Sequence, residues 1–236
     1  MIRTQTKGEV RRARRREARK TEMLDAAMRI ITELGVDSLT IARLADEIDA
    51  AVGALYRYFP GKGALMVALQ ARAIESFGQA LQRDVERARA SASSESWERD
   101  QVVALVPVLA AFRAYPTFYA SEPAMYALID SSLSDPRALL TTEEQQAIQT
   151  VLMPVLQICA DQLDAAVDQG ALDDGDSMKR THVAWGALHG LGHFRKRDHS
   201  VPAELGSDQL AEELLRGLLR GWGADKSDID GALRRV

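Results

Sequence analysis

The chain has 236 residues, 46% of them apolar and 27% charged, with a formal net charge of −4. That is the ordinary mix of a soluble globular protein, long enough for one larger domain or two smaller ones. A single cysteine, Cys159, excludes an intrachain disulfide and a Cys-rich zinc site. No stretch approaches the roughly 18 uncharged apolar residues of a membrane span. The Arg-rich start lacks the apolar run of a secretory signal. A cytoplasmic protein with no membrane partner is the expectation.

Charge is unevenly spread. Residues 1–20 carry nine Lys/Arg against Glu9 and Glu17, a net of +7, which leaves −11 on the other 216 residues. A basic end suits a polyanion, and the acidic body has another task. Residues 1–16 are expected to be a basic flexible arm, either solvated or laid on nucleic acid.

In chain order, nearly every segment carries helical periodicity. Met23, Ala26, Ala27, Ile30, Ile31 and Leu34 recur at three- and four-residue steps, predicting a helix over 17–34 that Gly35 ends as a C-cap glycine. Ser38 or Thr40 can cap a second helix to about Ile48, with Ile41, Leu44, Ala45 and Ile48 inward. A break at Asp49-Ala50-Ala51 leads to a short third helix over 52–58, stopped by Pro60-Gly61. A long helix follows from Lys62 to about Ala90, and Ser91–Ser96 is linker-like. Further helices are predicted at 99–114, 122–133, 142–169, 176–197 and 207–222. They are separated at Tyr115-Pro116, Ser134-Asp135-Pro136, Gly170–Gly175 and Ser200-Val201-Pro202, with Pro107 and Pro154 as kinks. The class is all-α: a helix-turn-helix domain over 17–65, a larger helical domain over 66–225, and a tail over 226–236.

Three short helices, the last two joined by a tight turn, meet the needs of a helix-turn-helix. Its third helix must be short, bare on one face and anchored on the other, so that it can enter the major groove. In Gly53-Ala54-Leu55-Tyr56-Arg57-Tyr58-Phe59, Leu55 and Phe59 can anchor while Ala54, Arg57 and Tyr58 face out. Arg57 has the chemistry to read a guanine edge or to hold a phosphate. Arg43, Val52, Gly53 and Ala54 complete the candidate DNA-facing set with the residues named next.

Thr40-x-x-x-Leu44-Ala45, the segment Gly53–Phe59, and Lys62-x-x-Leu65 together resemble the DNA-binding region of TetR-family regulators, over roughly Ile30 to Leu69. The resemblance implies that Thr40 caps helix two and touches a phosphate. It also implies that Tyr56 and Tyr58 contact DNA and that Lys62 reaches the backbone. Packing against neighbouring helices is the other reading open to the two tyrosines. Two positions depart from the family pattern. Asp49 stands where members often have Gly, and Asp tolerates a left-handed turn. Ala51 stands where they often have Ser or Thr, and cannot cap by its side chain.

The resemblance further implies that the remaining helices dimerise and bind a small-molecule effector, which releases the dimer from a palindromic, double-stranded operator. Phe112, Tyr115, Phe118, Tyr119, Met125, Tyr126 and Ile129, joined by Trp185 and His189, are candidates for a mostly apolar pocket or for a plain core. His182, His189 and His193 fall on one helical face, but no Glu-x-x-His pairing accompanies them, and no metal or cofactor is assigned. Gly186 and Gly190 allow close helix approach. With His182, His193, Leu214, Leu215, Leu218, Leu219 and Trp222 they form the candidate dimer seam of a homodimer. No nucleophile elbow, phosphate loop or general-base motif supports the rival reading of a metal-dependent hydrolase. A DNA-binding regulator without an effector is the other alternative.

Overall fold

The computed structural model describes residues 6–93, 99–134 and 141–236. Among them are ten α-helices and no strand. In order these are α1 (Lys7–Leu34), α2 (Ile41–Glu47), α3 (Val52–Tyr56), α4 (Lys62–Ser93), α5 (Asp100–Ser121), α6 (Pro123–Ser134), α7 (Thr142–Asp168), α8 (Ser177–Gly192), α9 (Ser207–Gly221) and α10 (Lys226–Leu233). Two compact units emerge. The first holds the described residues up to Ala73 and those within Ala124–Ile148; the second holds Ile74–Pro123 and Gln149–Val236. The 65/66 boundary expected from sequence does not coincide with this division, because the start of α4, as far as Ala73, and α6 from Ala124 onward belong to the first unit.

In the first unit, Met23, Ala26, Ala27, Ile30 and Ile31 of α1 are buried, as are Leu39, Ile41, Leu44, Leu55, Phe59, Leu65 and Leu69. α1 ends where Gly35 takes φ 82° and its N–H bonds the Ile31 carbonyl at 2.8 Å, in a backbone region open to glycine. The helix begins ten residues before the predicted start. Thr6 and Glu9 form a capping box: Thr6 Oγ1 accepts the Glu9 N–H, and Glu9 accepts the Thr6 N–H at 2.7 Å. Residues 7–16 are therefore helix, and the expectation of a flexible arm there is corrected. Further on, Gln70 of α4 is buried and donates to the Leu128 carbonyl of α6 at 3.1 Å.

In the second unit, α5 is the central helix, with thirteen of its 22 residues buried, as a helix apolar all round must be. It runs unbroken through Tyr115-Pro116, where the sequence suggests a stop, since packing on several sides outweighs the single donor that proline lacks. α5 and α7 are long and apolar enough to cross a membrane by length and composition, contrary to expectation; 78% of that stretch of α5 is buried inside the protein and 39% of that of α7. α8, α9 and α10 pack with α5 in this unit. The predicted helix over 176–197 is α8 followed by a 3-10 segment, His193–Ser200.

The expected C-terminal tail is the packed helix α10. Ile229 and Ala232 are buried, Gly231 lies so close to α5 that an added Cβ would meet Val102 at 3.1 Å, and Arg99 forms an ion pair with the buried Asp228. The first half of the linker-like stretch, Ser91–Ser93, is the end of α4 rather than a linker; its second half, and the predicted break after Ser134, lie outside the described residues.

Candidate nucleic-acid interface

Thr40 adopts extended backbone and caps α2, its Oγ1 accepting the Arg43 N–H at 3.1 Å. The Arg43 guanidinium donates to the Ser38 carbonyl at 3.0 Å, and Arg29 of α1 bridges to Glu47 of α2 at 3.2 Å. The turn that follows is made by Asp49 at φ 48° and closed by the Ala50 N–H on the Ala45 carbonyl at 2.9 Å. Asp thus does what Gly does more often at such a position. Ala51 enters α3 with no side-chain cap, so the first amides of α3 remain available to water or to an anion.

α3 stands on two anchors. Leu55 and Phe59 are buried, and the Phe59 N–H bonds the Leu55 carbonyl at 2.9 Å. The opposite face shows Val52, Gly53, Tyr56 and Arg57 to solvent, with Ala54 and Tyr58 half-buried. Tyr56 is 50% exposed; a tyrosine serving only as packing would not be left so bare. Lys62 is exposed at the first position of α4. All nine predicted DNA-facing residues thus fall in one stretch of α2, α3 and the start of α4. An interaction that the sequence did not reveal joins them: Arg16 of α1 donates to the Arg57 carbonyl (3.4 Å) and lies over the Tyr58 ring, 5.9 Å from its centre.

The predicted effector-pocket residues divide between the units. Met125, Tyr126 and Ile129 sit on α6 in the first. In the second, Tyr115, Phe118, Tyr119 and His189 are buried and Trp185 is half-buried. Tyr115 Oη and His189 Nδ1 are 2.7 Å apart. Phe77 of α4, unmarked in the sequence, stands against Tyr115 and Phe118 at 5.3 and 5.2 Å between ring centres. His189 also meets the rings of Trp185 and His193. Phe112 pairs instead with Trp222, at 6.4 Å. A cleft of about 330 Å³ opens in this unit, lined by residues such as Arg113, Thr117, Arg195, Asp208 and Glu212 and by none of the aromatic candidates.

The candidate seam needs correcting. Leu215 and Leu219 are 1% exposed within the single chain, so they point into the core of their own unit rather than to a partner. Trp222 is half-buried and engaged within its own unit: its ring meets Phe112, Arg180 lies over it, and its carbonyl accepts the Asp173 N–H at 2.8 Å. Leu214 and Leu218 are half-buried, while His182, Gly186, Gly190 and His193 are exposed. Val183 and Phe194, 56% and 42% exposed, extend that surface. An added Cβ would meet nothing within 4 Å at Gly186, Gly190, Gly217 or Gly221, which leaves room for a close neighbour.

A capped helix, a left-handed turn and a short exposed helix on two buried anchors define a helix-turn-helix protein. Residues 23–69 match the family described as bacterial regulatory proteins, tetR family, and residues 108–218 match the tetracyclin repressor-like C-terminal domain. The chain belongs to the TetR family. It is 46% identical over 57 residues to the HTH-type transcriptional repressor KstR of Mycobacterium tuberculosis, covering 24% of this chain and 26% of that protein. The chain thus spans about a quarter of the length of the curated relative it matches. A protein of unknown function from Rhodococcus sp. RHA1 shares the fold with a TM-score of 0.64 at 21% identity, covering 86% of this chain and 94% of that one. The regulator FadR from Bacillus subtilis, solved in complex with stearoyl-CoA, does so with a TM-score of 0.60 at 18% identity, covering 85% and 98%.

Proposed function

We propose that this chain is a homodimeric transcriptional repressor that binds a palindromic operator in the cytoplasm and leaves it when a small apolar or aromatic molecule binds the second unit. The observation that carries the reading is the bare face of α3, with Tyr56 half-exposed above the buried Leu55 and Phe59. Thr40, Tyr56, Tyr58 and Lys62 supply phosphate contacts, and the exposed Arg57 carries the guanidinium that reads a guanine edge or holds a further phosphate. Val52, Gly53 and Ala54 offer no side-chain hydrogen bonds, so thymine methyls and DNA shape carry part of the sequence choice.

A two-fold operator calls for a two-fold protein. The exposed Gly186 and Gly190, with Val183, Leu214 and Leu218, supply a surface of the right kind. The buried Tyr115–His189 pair set among Phe77, Phe118, Tyr119 and Trp185 is a polar handle in an apolar setting, the composition of a site that takes a mostly apolar ligand. The stearoyl-CoA bound by FadR, an acyl chain with a polar head, is consistent with that chemistry. The ligand shifts the balance only through its differential affinity for the two conformations.

The test is selection of duplexes from a random pool by the full-length protein, followed by anisotropy titration. The wild type should enrich a palindrome. Tyr56→Ala and Lys62→Ala should weaken binding to it while sedimentation still shows a dimer. Failure to enrich any sequence, or loss of the dimer in either variant, would overturn the assignment.

A further inference from the structure

The first unit carries a second cationic element that the helix-turn-helix does not account for. Six of the ten residues 7–16 are Lys or Arg, against the single Glu9. The structure makes them the first part of α1, nearly three turns at about 3.6 residues per turn. Arg11, Arg12, Arg14 and Arg15 are exposed, and among the described residues no carboxylate forms an ion pair with them. Their spacing puts like charges at i,i+3 and i,i+4 (Arg11 with Arg14 and Arg15, Arg12 with Arg15 and Arg16). Each such pair costs an isolated helix about 0.2–0.5 kcal/mol, a repulsion that an aligned polyanion removes.

Position is fixed by Arg16. It reaches both the Arg57 carbonyl and the Tyr58 ring at the C-terminal end of α3, so the basic helix sets out from the edge of the DNA-facing surface itself. A lipid surface fits less well. An interfacial helix needs an apolar face, and residues 7–16 offer only Val10 and Ala13.

We propose that residues 7–16 of α1 form a preset second DNA-contacting element that engages backbone phosphates flanking each half-site, with Arg16 as the positioning residue that locks it to the recognition helix. This rests on the DNA-binding reading above. At 1.5 Å per residue the segment is about 15 Å long, the length of about four base pairs along one strand. It therefore enlarges the footprint outward and contributes affinity and salt dependence rather than sequence choice.

The experiment uses full-length protein and duplexes enriched by the wild type, each made with native flanks and with about five base pairs removed from each side. The variants are Arg11→Gln/Arg12→Gln/Arg14→Gln/Arg15→Gln, which keeps helix propensity, and Arg16→Gln. Trimming should weaken the wild type and leave the fourfold variant unaffected. The slope of log affinity against log salt should become shallower in that variant by about 0.9 for each phosphate that its arginines no longer neutralise. Arg16→Gln should reduce the trimming effect although the other arginines remain, with an unchanged circular dichroism spectrum.

An unchanged slope, or an equal loss on both duplexes, would overturn the proposal while leaving the operator reading intact. Enrichment of no duplex by the wild type would overturn both. Binding of phosphatidylserine vesicles that the fourfold variant loses, with DNA binding unchanged, would overturn it in favour of a membrane surface.

Discussion

Phe59 and Tyr56 are three residues apart and have opposite jobs, so paired substitutions separate fold from recognition. Phe59 is 1% exposed and Tyr56 50%. Phe59→Ala removes a fully buried ring. At about 25 cal/mol per Å² over the ~150–250 Å² that an aromatic side chain buries, the transfer term is about 4–6 kcal/mol as an upper bound. Measured Phe→Ala costs in cores run to about 3–5 kcal/mol. Against a domain stability of about 5–15 kcal/mol, that is enough to lower the melting temperature of a unit this size by about 15–30 °C. Tyr56→Ala takes away a half-solvated ring and should stay within about 1 kcal/mol of wild type. Far-UV circular dichroism melts, read beside anisotropy titrations at a temperature where both variants are folded, complete the test. Tyr56→Ala should melt near wild type and bind operator weakly. A Phe59→Ala protein melting within a few degrees of wild type, or a Tyr56→Ala protein destabilised as much as Phe59→Ala, would refute this division of labour.

Other expectations follow from the same geometry. Leu214→Glu combined with Leu218→Glu should give a folded monomer by sedimentation and circular dichroism, whereas Leu215→Glu should unfold the chain because it charges a residue packed inside the unit; a folded Leu215→Glu monomer would return that residue to the seam. Thr40→Ala removes the cap of α2 and should cost about 1 kcal/mol in a denaturant titration, with weaker DNA binding besides. Asp198 holds the start of α9, accepting the Ser207 hydroxyl at 2.6 Å and its N–H at 3.0 Å. The Ser207 hydroxyl, the largest influence, holds its carboxyl below the ordinary value of 3.8. The stability it supplies is therefore complete above the usual carboxylate range and is lost as pH falls through the lowered pKa. In acid titrations followed by circular dichroism, Asp198→Asn should flatten that part of the stability curve, and an unchanged acid limb would contradict it.

The parts of this fold that sequence reveals are those written locally. Gly35 after an apolar stripe, Thr40 three residues before Arg43, Asp49 in a turn and the four-residue step from Leu55 to Phe59 each carry their own geometry, and the structure uses all of them as expected. What sequence hides depends on which surface meets which. On α9 the stripe Ala211–Leu215–Leu219 and its neighbour Leu210–Leu214–Leu218 have the same periodicity, and only packing assigns the first to the core. The same limit applies to Phe77, an ordinary member of an apolar helix face until α5 brings Tyr115 and Phe118 to it. The basic start misleads for a different reason. A charge run reads as solvated, and the Thr6–Glu9 capping box that makes it helical is a short signal easily outweighed by composition. α10 escapes a sequence reading because its apolar residues, Ile229, Ala232 and Leu233, make a single turn's step, too short for a periodicity argument.

The central claim is sequence-specific DNA binding through α3, and one titration bears on it most directly. Wild-type protein is titrated at physiological salt against its enriched duplex and against a scrambled duplex of the same length and composition, with Tyr56→Ala alongside. A specific affinity at least ~10³-fold tighter than the non-specific one, largely lost in Tyr56→Ala, is the predicted result. Equal affinity for both duplexes, or full specificity retained by Tyr56→Ala, would contradict it.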